Sequence, residues 1–133
     1  MSVSLPSDAS KEQIIGFIDR WVSLLEQEKY DESLALIAAK PGWTPALIEE
    51  VINSYGDADT NRVTFLNNGT ALDGAGNVEI ALQRKEVEWH DDERGDVWYD
   101  LNINGLGSDL TATFDLVRRD GRLHLILQDI HVM

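Results

Sequence analysis

The chain has 133 residues, 43% of them hydrophobic, with no cysteine, a formal net charge of −13 and a pI near 4.4. This length and hydrophobic content predict a single domain over residues 1–133 that buries its own core without disulfide or metal crosslinks. The lack of cysteine excludes disulfides, thiolate metal sites and cysteine catalysis. The acidic charge argues against nucleic-acid binding, because phosphate contacts need Lys and Arg.

The sequence also predicts neither a secretory nor a membrane protein. Residues Met1–Asp8 contain no basic region followed by an apolar run, so we expect no signal peptide. No stretch approaches the roughly 20 apolar residues of a membrane span. We therefore predict a cytoplasmic protein of bacterial type without a cofactor. Its acidic surface suits either solubility or a basic protein partner.

Three amphipathic helices are predicted in the first half of the chain. A capping box at Ser10 opens the first helix, and Asp31 is predicted to cap a shorter second helix that reaches Ala38. Thr44 followed by Pro45 is a cap with proline at the first helical position, which predicts a third helix. The first helix has the longest apolar stripe, made of Ile14, Ile18, Trp21 and Leu25.

From Arg62 onward the apolar residues alternate with a period of two, which is typical of strands. Val63 begins the first of these strands, and turns are predicted at 67–69 and 73–77. A long strand is predicted from Val78 to Trp89, with a bulge between positions 84 and 86. A run of helices followed by a run of strands is the α+β order.

The last strands allow their pairing to be predicted. Asp120-Gly121 favours a type I′ hairpin turn, which sets the register of the two flanking strands. The preceding strand, from Val97 to Ile103, joins them through a loop over 105–108, with Tyr99 bordering Phe114. The predicted opposite pairs are Leu116 with Leu125, Phe114 with Leu127, Ala112 with Asp129, and Leu110 with His131. This register predicts a candidate pocket lined by Tyr99, Asp129 and His131.

A second register remains open, because the apolar phase changes along the last strand. Leu127 has an odd residue number, whereas Ile130 and Val132 have even residue numbers, so the two sets cannot share one face of a regular strand. A bulge near Gln128 would absorb one residue and turn Ile130 and Val132 inward. In that case Asp129 and His131 are surface groups and the pocket is lost.

The outer face of the same strands predicts a candidate interface. Trp98 is placed beside Asp115 and near Ile126, with Val117 close by, which makes an apolar patch on a polar sheet surface. The alternative is that a helix or loop of the same chain covers the patch.

The remaining aromatic and histidine residues carry weaker signals. Tyr30 and Trp43 lie in the breaks between helices and are interpreted as core plugs. His90 and His124 are interpreted as solvated strand residues. The acidic residues after His90 resemble metal ligands in type, but adjacent turn positions rarely converge on one ion without a distant ligand. We therefore expect no metal site.

This order of elements resembles the nuclear-transport-factor-like superfamily, the cystatin-like α+β cone. The resemblance implies N-terminal helices packed on a bent antiparallel sheet of four to six strands. The segment Ser108–Val132 also looks like the ending of small uncharacterised bacterial proteins. Members of the superfamily often dimerise through the open sheet face, so the resemblance implies a homodimer.

The superfamily contains enzymes, immunity proteins and non-catalytic binding modules, so fold alone does not choose a function. Our prediction is a binding or protein-interaction module, with an immunity-type role against a basic toxin as its specific form. The alternative is a small-molecule isomerase, dehydratase or cyclase, which would bind a small apolar ligand. Asp129 and His131 would then act as general base or acid, and Tyr99 would supply the oxyanion donor.

Overall fold

The computed structural model describes residues 4–55, 61–65, 70–72, 78–80 and 84–132, and the turns predicted at 67–69 and 73–77 lie outside them. The helices are α1 (Lys11–Glu26), α2 (Tyr30–Leu36) and α3 (Pro45–Asn53). The strands are β1 (Leu5–Pro6), β2 (Ala38–Ala39), β3 (Val63–Thr64), β4 (Thr70–Leu72), β5 (Val78–Ile80), β6 (Lys85–Trp89), β7 (Arg94–Ile103), β8 (Leu106–Arg119) and β9 (Arg122–Val132).

The predicted α+β class is confirmed. The three described helices pack on a strongly curled sheet that forms a half-barrel. Its strand order is β1-β9-β8-β7-β3, with β2 also paired to β9 and β6 also paired to β7. Within the described residues this makes seven strands rather than four to six, because three two-residue strands lie at the edges.

The helix starts follow the predicted caps for α1 and α3. The Ser10 hydroxyl accepts from the Gln13 backbone N–H, and the Gln13 side chain accepts from the Ser10 backbone N–H. The Thr44 hydroxyl accepts from the Leu47 backbone N–H. The start and end of α2 were predicted wrongly. Its N-cap is Lys29 rather than Asp31, and after Leu36 the chain becomes extended, because β2 pairs in parallel with the edge of β9.

The long strand predicted from Val78 to Trp89 was also wrong. β5 pairs with β4 in a separate two-stranded sheet, whereas β6 pairs with β7. The bulge predicted between 84 and 86 is absent from this pairing. The Asp100 amide donates to the Arg84 carbonyl, which continues the regular register that runs from Lys85 to Trp89.

The predicted register of β8 and β9 is confirmed from the turn as far as Phe114, which lies opposite Leu127. There the register shifts by one residue, so that Asp129 faces Thr113 and Ile130 faces Ala112. The structure therefore contains the bulge near Gln128, as in the second predicted register. Ile130 turns inward with 3% exposure, but Val132, also expected inward, is 55% exposed.

The core lies between α1 and the concave face of the sheet. Trp21 packs edge-to-face on Phe114, with ring centroids 5.2 Å apart. Tyr30 and Trp43 are partly buried against this core, as predicted for plugs. No helix among the described residues is long and apolar enough to cross a membrane.

Candidate functional site

The pocket predicted from Tyr99, Asp129 and His131 is not formed. Tyr99 is fully buried on the concave face, whereas Asp129 is exposed and His131 is partly exposed on the opposite face. The bulge causes this separation, because its extra residue turns Asp129 outward and the next residue inward. Tyr99 lies directly opposite Ala112, with Phe114 as its diagonal neighbour on the same face of the sheet.

Tyr99 instead belongs to a cluster that joins α1 to the sheet. Its hydroxyl donates to Asp19 Oδ1 over 2.5 Å, and Lys85 Nζ lies 3.2 Å from the same oxygen. The Lys85 ammonium also stands 4.9 Å from the centre of the Tyr99 ring and 5.4 Å from that of Phe65. A groove of about 380 Å³ opens beside the cluster, lined by Lys11, Glu12, Ile15, Gly16, Asp19 and Lys85.

The chemistry of this cluster suits a structural contact between α1 and the sheet rather than a proton relay. Burial raises the pKa of the Tyr99 phenol far above its usual value, and the bond to the Asp19 carboxylate adds to the shift. The phenol therefore keeps its proton at neutral pH. Asp19 accepts from a phenol and an ammonium at once, which leaves it poorly placed as a general base.

His131 borders a different groove, between α3 and the end of β8 and β9. This groove has a volume of about 340 Å³, and its apolar walls come from Leu47, Val51, Leu110, Ile130 and Val132. His131 Nδ1 lies 3.1 Å from Asp129 Oδ2, without hydrogen-bond alignment. The Tyr55 hydroxyl, also in the lining, donates to Asp109 over 2.6 Å. Asp129 and His131 are thus together, but outside the cone and without Tyr99.

The predicted interface residues all face away from the core, on the convex surface that we call the outer face. Trp98 is 37% exposed, and Val117 and Ile126 are partly buried. Trp98 lies directly opposite Thr113 and diagonal to Asp115, which is paired with Asp96. The three apolar side chains do not form a continuous patch, because carboxylates lie between them.

Those carboxylates form a row across three neighbouring strands, which we call the acidic row. Glu88 of β6 lies opposite Asp96 of β7, and Asp96 lies opposite Asp115 of β8. Glu86 and Asp129 continue the acidic surface on either side of Trp98 and Thr113. Like charges directly opposite one another destabilise a sheet. The row therefore costs folding stability.

The chain neutralises the acidic row only in part. His90 Nε2 lies 2.6 Å from Asp96, and this bond raises the pKa of His90. Asp115 accepts from the Gln128 side-chain Nε2 over 2.6 Å and lies 3.8 Å from Lys40 Nζ. These contacts reach the middle of the row at Asp96 and one end of it at Asp115. The acidic row therefore keeps a negative electrostatic potential that can attract the cationic groups of a partner.

Arginine already occupies the neighbourhood of Trp98. The Arg84 guanidinium stands 4.9 Å from the centre of the Trp98 ring and pairs with Asp100 at 3.4 Å. Thr111 also donates to Asp100 over 2.7 Å. The ring of Trp98 is thus presented in a setting that suits a guanidinium or another cation.

Sequence reasoning missed the acidic row and Asp19. The outward alternation of Glu86 and Glu88, and of Asp96 and Trp98, is visible in the sequence. Their alignment across strands depends on the turn at 90–93, whose register the sequence does not specify. Asp19 lies at the flank of the buried stripe of α1, one turn after Ile15, and this position was the available signal.

The described residues contain no group of three or more His, Asp or Glu side chains that would hold a metal ion. Comparison with known proteins adds no name to these sites. No family model, no curated protein and no solved structure matches the chain.

Proposed function

We propose that the chain is a protein-interaction module of bacterial, cytosolic origin that binds a basic partner through its outer face. The observation that carries this proposal is Trp98, an exposed aromatic ring surrounded by carboxylates on neighbouring strands. Exposed aromatic side chains are enriched in interfaces, where they supply contact area at low entropic cost. The surrounding acids select a partner of positive charge.

An immunity-type role is the specific form of this proposal, in which the acidic face covers the active surface of a basic toxin. The net charge of −13 supports rapid, steered association with such a partner. The proposal keeps the resemblance to the nuclear-transport-factor-like cone. The order of helices and strands and the curled sheet support that resemblance.

The acidic row weighs against the predicted homodimer on this face. A second copy would bring Glu88, Asp96 and Asp115 against an equally acidic surface, and like-charge juxtaposition costs several kcal/mol by order of magnitude. A basic partner meets the same residues with attraction. Self-association is therefore the competing outcome of the test below.

The catalytic alternative is now favoured only by the pair of Asp129 and His131 beside the apolar groove of α3. A carboxylate that hydrogen-bonds to an imidazole orients it as a general base, and Asp129 lies 3.1 Å from His131 without that alignment. An NMR titration with indole as a small apolar probe tests this second candidate. Binding there shifts the methyl signals of Val51 and Val132, and indole that shifts neither removes the candidate.

The first experiment for the interaction proposal is site-specific photo-crosslinking in the source cells. A photoreactive phenylalanine analogue replaces Glu86, which is exposed and lies opposite Trp98, and a control variant carries it at Glu32 on α2. We expect a discrete crosslinked product with a basic protein from position 86 alone. The Asp96→Asn change should weaken that product, because it removes a charge from the acidic row.

Two results would contradict the proposal. One is a product that contains only a second copy of the chain, which would show that the outer face is a homodimer interface. The other is an identical set of crosslinked products from positions 86 and 32, because it would show that any acidic surface of the molecule binds basic proteins.

A further inference from the structure

The distance between successive carboxylates of the acidic row indicates which secondary structure of a partner would fit it. Neighbouring strands in a sheet are about 4.8 Å apart, so Glu88, Asp96 and Asp115 are spaced by roughly that distance across β6, β7 and β8. Successive turns of an α-helix are 5.4 Å apart. Same-face side chains of an extended strand are about 6.6 Å apart, which fits the row less well.

We propose, resting on the proposed function above, that the partner contacts the outer face with a basic amphipathic helix laid across these strands. Each turn of that helix then places one Arg or Lys near one carboxylate of the acidic row. An apolar or arginine side chain from the neighbouring helical position packs on Trp98.

Trp98 supports this orientation by its place in the sheet. It lies on β7 two residues from Asp96, so its ring flanks the middle of the acidic row instead of interrupting it. Its cross-strand neighbours are Glu86, which is exposed, and Thr113, which is buried. The ring itself is 37% exposed, so part of it is accessible to a helix. The contact with Arg84 shows that a guanidinium packs on this ring at 4.9 Å.

The stability cost of the row supports a ligand of opposite charge. Acids on three directly paired positions weaken the free protein. His90 and Lys40 contact two of these acids, Asp96 and Asp115. Natural proteins often retain such costly residues where function needs them. Cations from a partner relieve the repulsion only when bound.

The test uses two synthetic peptides of identical composition, rich in alanine. In the first peptide, arginines at positions i, i+4, i+7 and i+11 form one stripe with leucines beside it. In the second, the same arginines are distributed around the helix. Fluorescence anisotropy of the labelled peptides at low ionic strength measures their affinity for the full chain.

We expect the striped peptide to bind about tenfold more tightly than the distributed peptide, because only it meets three carboxylates at once. Glu88→Gln should weaken the striped peptide about two- to fivefold, the size of one exposed charge pair. Glu32→Gln on α2 is the matched control and should leave affinity unchanged. Far-UV circular dichroism and urea unfolding confirm that both variants fold.

The outcomes separate this inference from the proposed function. If both peptides bind equally and both lose affinity in Glu88→Gln, the outer face binds basic chains, but the helix proposal is overturned. If neither peptide binds and position 86 gives no crosslink, both proposals fail. An equal loss of affinity in Glu88→Gln and Glu32→Gln overturns the helix proposal, because it reports only the net charge.

Discussion

Trp98 and Tyr99 are neighbours in the chain, yet their side chains have opposite environments. Trp98 is 37% exposed among carboxylates, whereas Tyr99 is 0% exposed and bonded to Asp19. Alternation along β7 alone explains this difference. The consequence is that one residue serves binding while the next joins α1 to the sheet.

Tyr99→Phe is expected to destabilise the protein by about 1–2 kcal/mol at pH 7, because it removes a buried hydrogen bond to a carboxylate. It should also reduce the loss of stability in alkali. The folded-state pKa of Tyr99 is raised, mainly by burial. Ionisation of this tyrosine therefore does not lower the free energy of unfolding below the unfolded-state pKa of about 10. Above pH 10 the unfolded chain releases the proton first, and stability falls.

Urea unfolding between pH 8 and pH 11 measures this effect. The wild-type stability should fall more steeply above pH 10 than that of Tyr99→Phe, by up to about 1.4 kcal/mol per pH unit. Tyr55→Phe is the comparison variant. Burial and the bond to Asp109 raise the pKa of Tyr55 as well, but Tyr55 is only partly buried, so this change should have the smaller effect. Parallel curves for wild type and Tyr99→Phe would contradict the raised pKa.

At the scale of elements, the hairpin turn at Asp120-Gly121 made the register of β8 and β9 predictable. Both turn residues have positive φ, at 56° and 72°, as a type I′ turn requires. A turn sets the register only as far as the next bulge. The apolar residues of the last strand alternate in one phase up to Leu127 and in the other phase at Ile130 and Val132. Local pattern therefore predicted two registers for the last residues of β9.

The choice between these registers depends on a contact that no local pattern contains. The Trp43 indole donates to the Gln128 carbonyl over 3.4 Å, across 85 residues of sequence. This bond satisfies a carbonyl at the bulge while Ile130 turns into the core. The same reasoning applies to α2, whose end was mispredicted because β9 offered pairing to Ala38.

The bulged register makes a prediction about two neighbouring aliphatic residues. Ile130→Ala should cost about 2–4 kcal/mol, because it removes buried methylenes from a packed core. Val132→Ala should cost less than about 0.5 kcal/mol, because its side chain is 55% exposed. Urea unfolding of both variants measures the difference. Small and equal costs would instead indicate the unbulged register, in which both side chains face outward.

At the scale of the whole molecule, the order of helices and strands was enough to predict the α+β class. The edge strands β1 and β2 were not predicted, because two residues show no period, whereas the strand predicted to begin at Val63 is present as β3. The outer face was predicted in part, since Trp98 was identified but the acidic row beside it was not. That row arises only when β6, β7 and β8 are aligned, which is a property of the assembled sheet.

The net charge of the chain and its ion pairs act in opposite directions on stability. Ion pairs join Lys85 to Asp19, Arg84 to Asp100 and Lys40 to Asp115, and each is partly exposed. Such pairs contribute little and weaken as salt is added. The net charge of −13 repels itself in the compact state, and salt screens that repulsion as well.

Because the excess of negative charge outweighs a few exposed pairs, we predict that sodium chloride stabilises the fold while it weakens partner binding. Raising the salt from about 20 mM to 500 mM should increase the free energy of unfolding by about 1 kcal/mol, the size of one close charge pair in water. Over the same range, the striped arginine peptide should lose affinity. Potassium chloride at equal ionic strength is the control and should act identically, since screening does not depend on the cation. Stability that falls with salt would show instead that the ion pairs dominate, and the acidic row would then cost the free protein little.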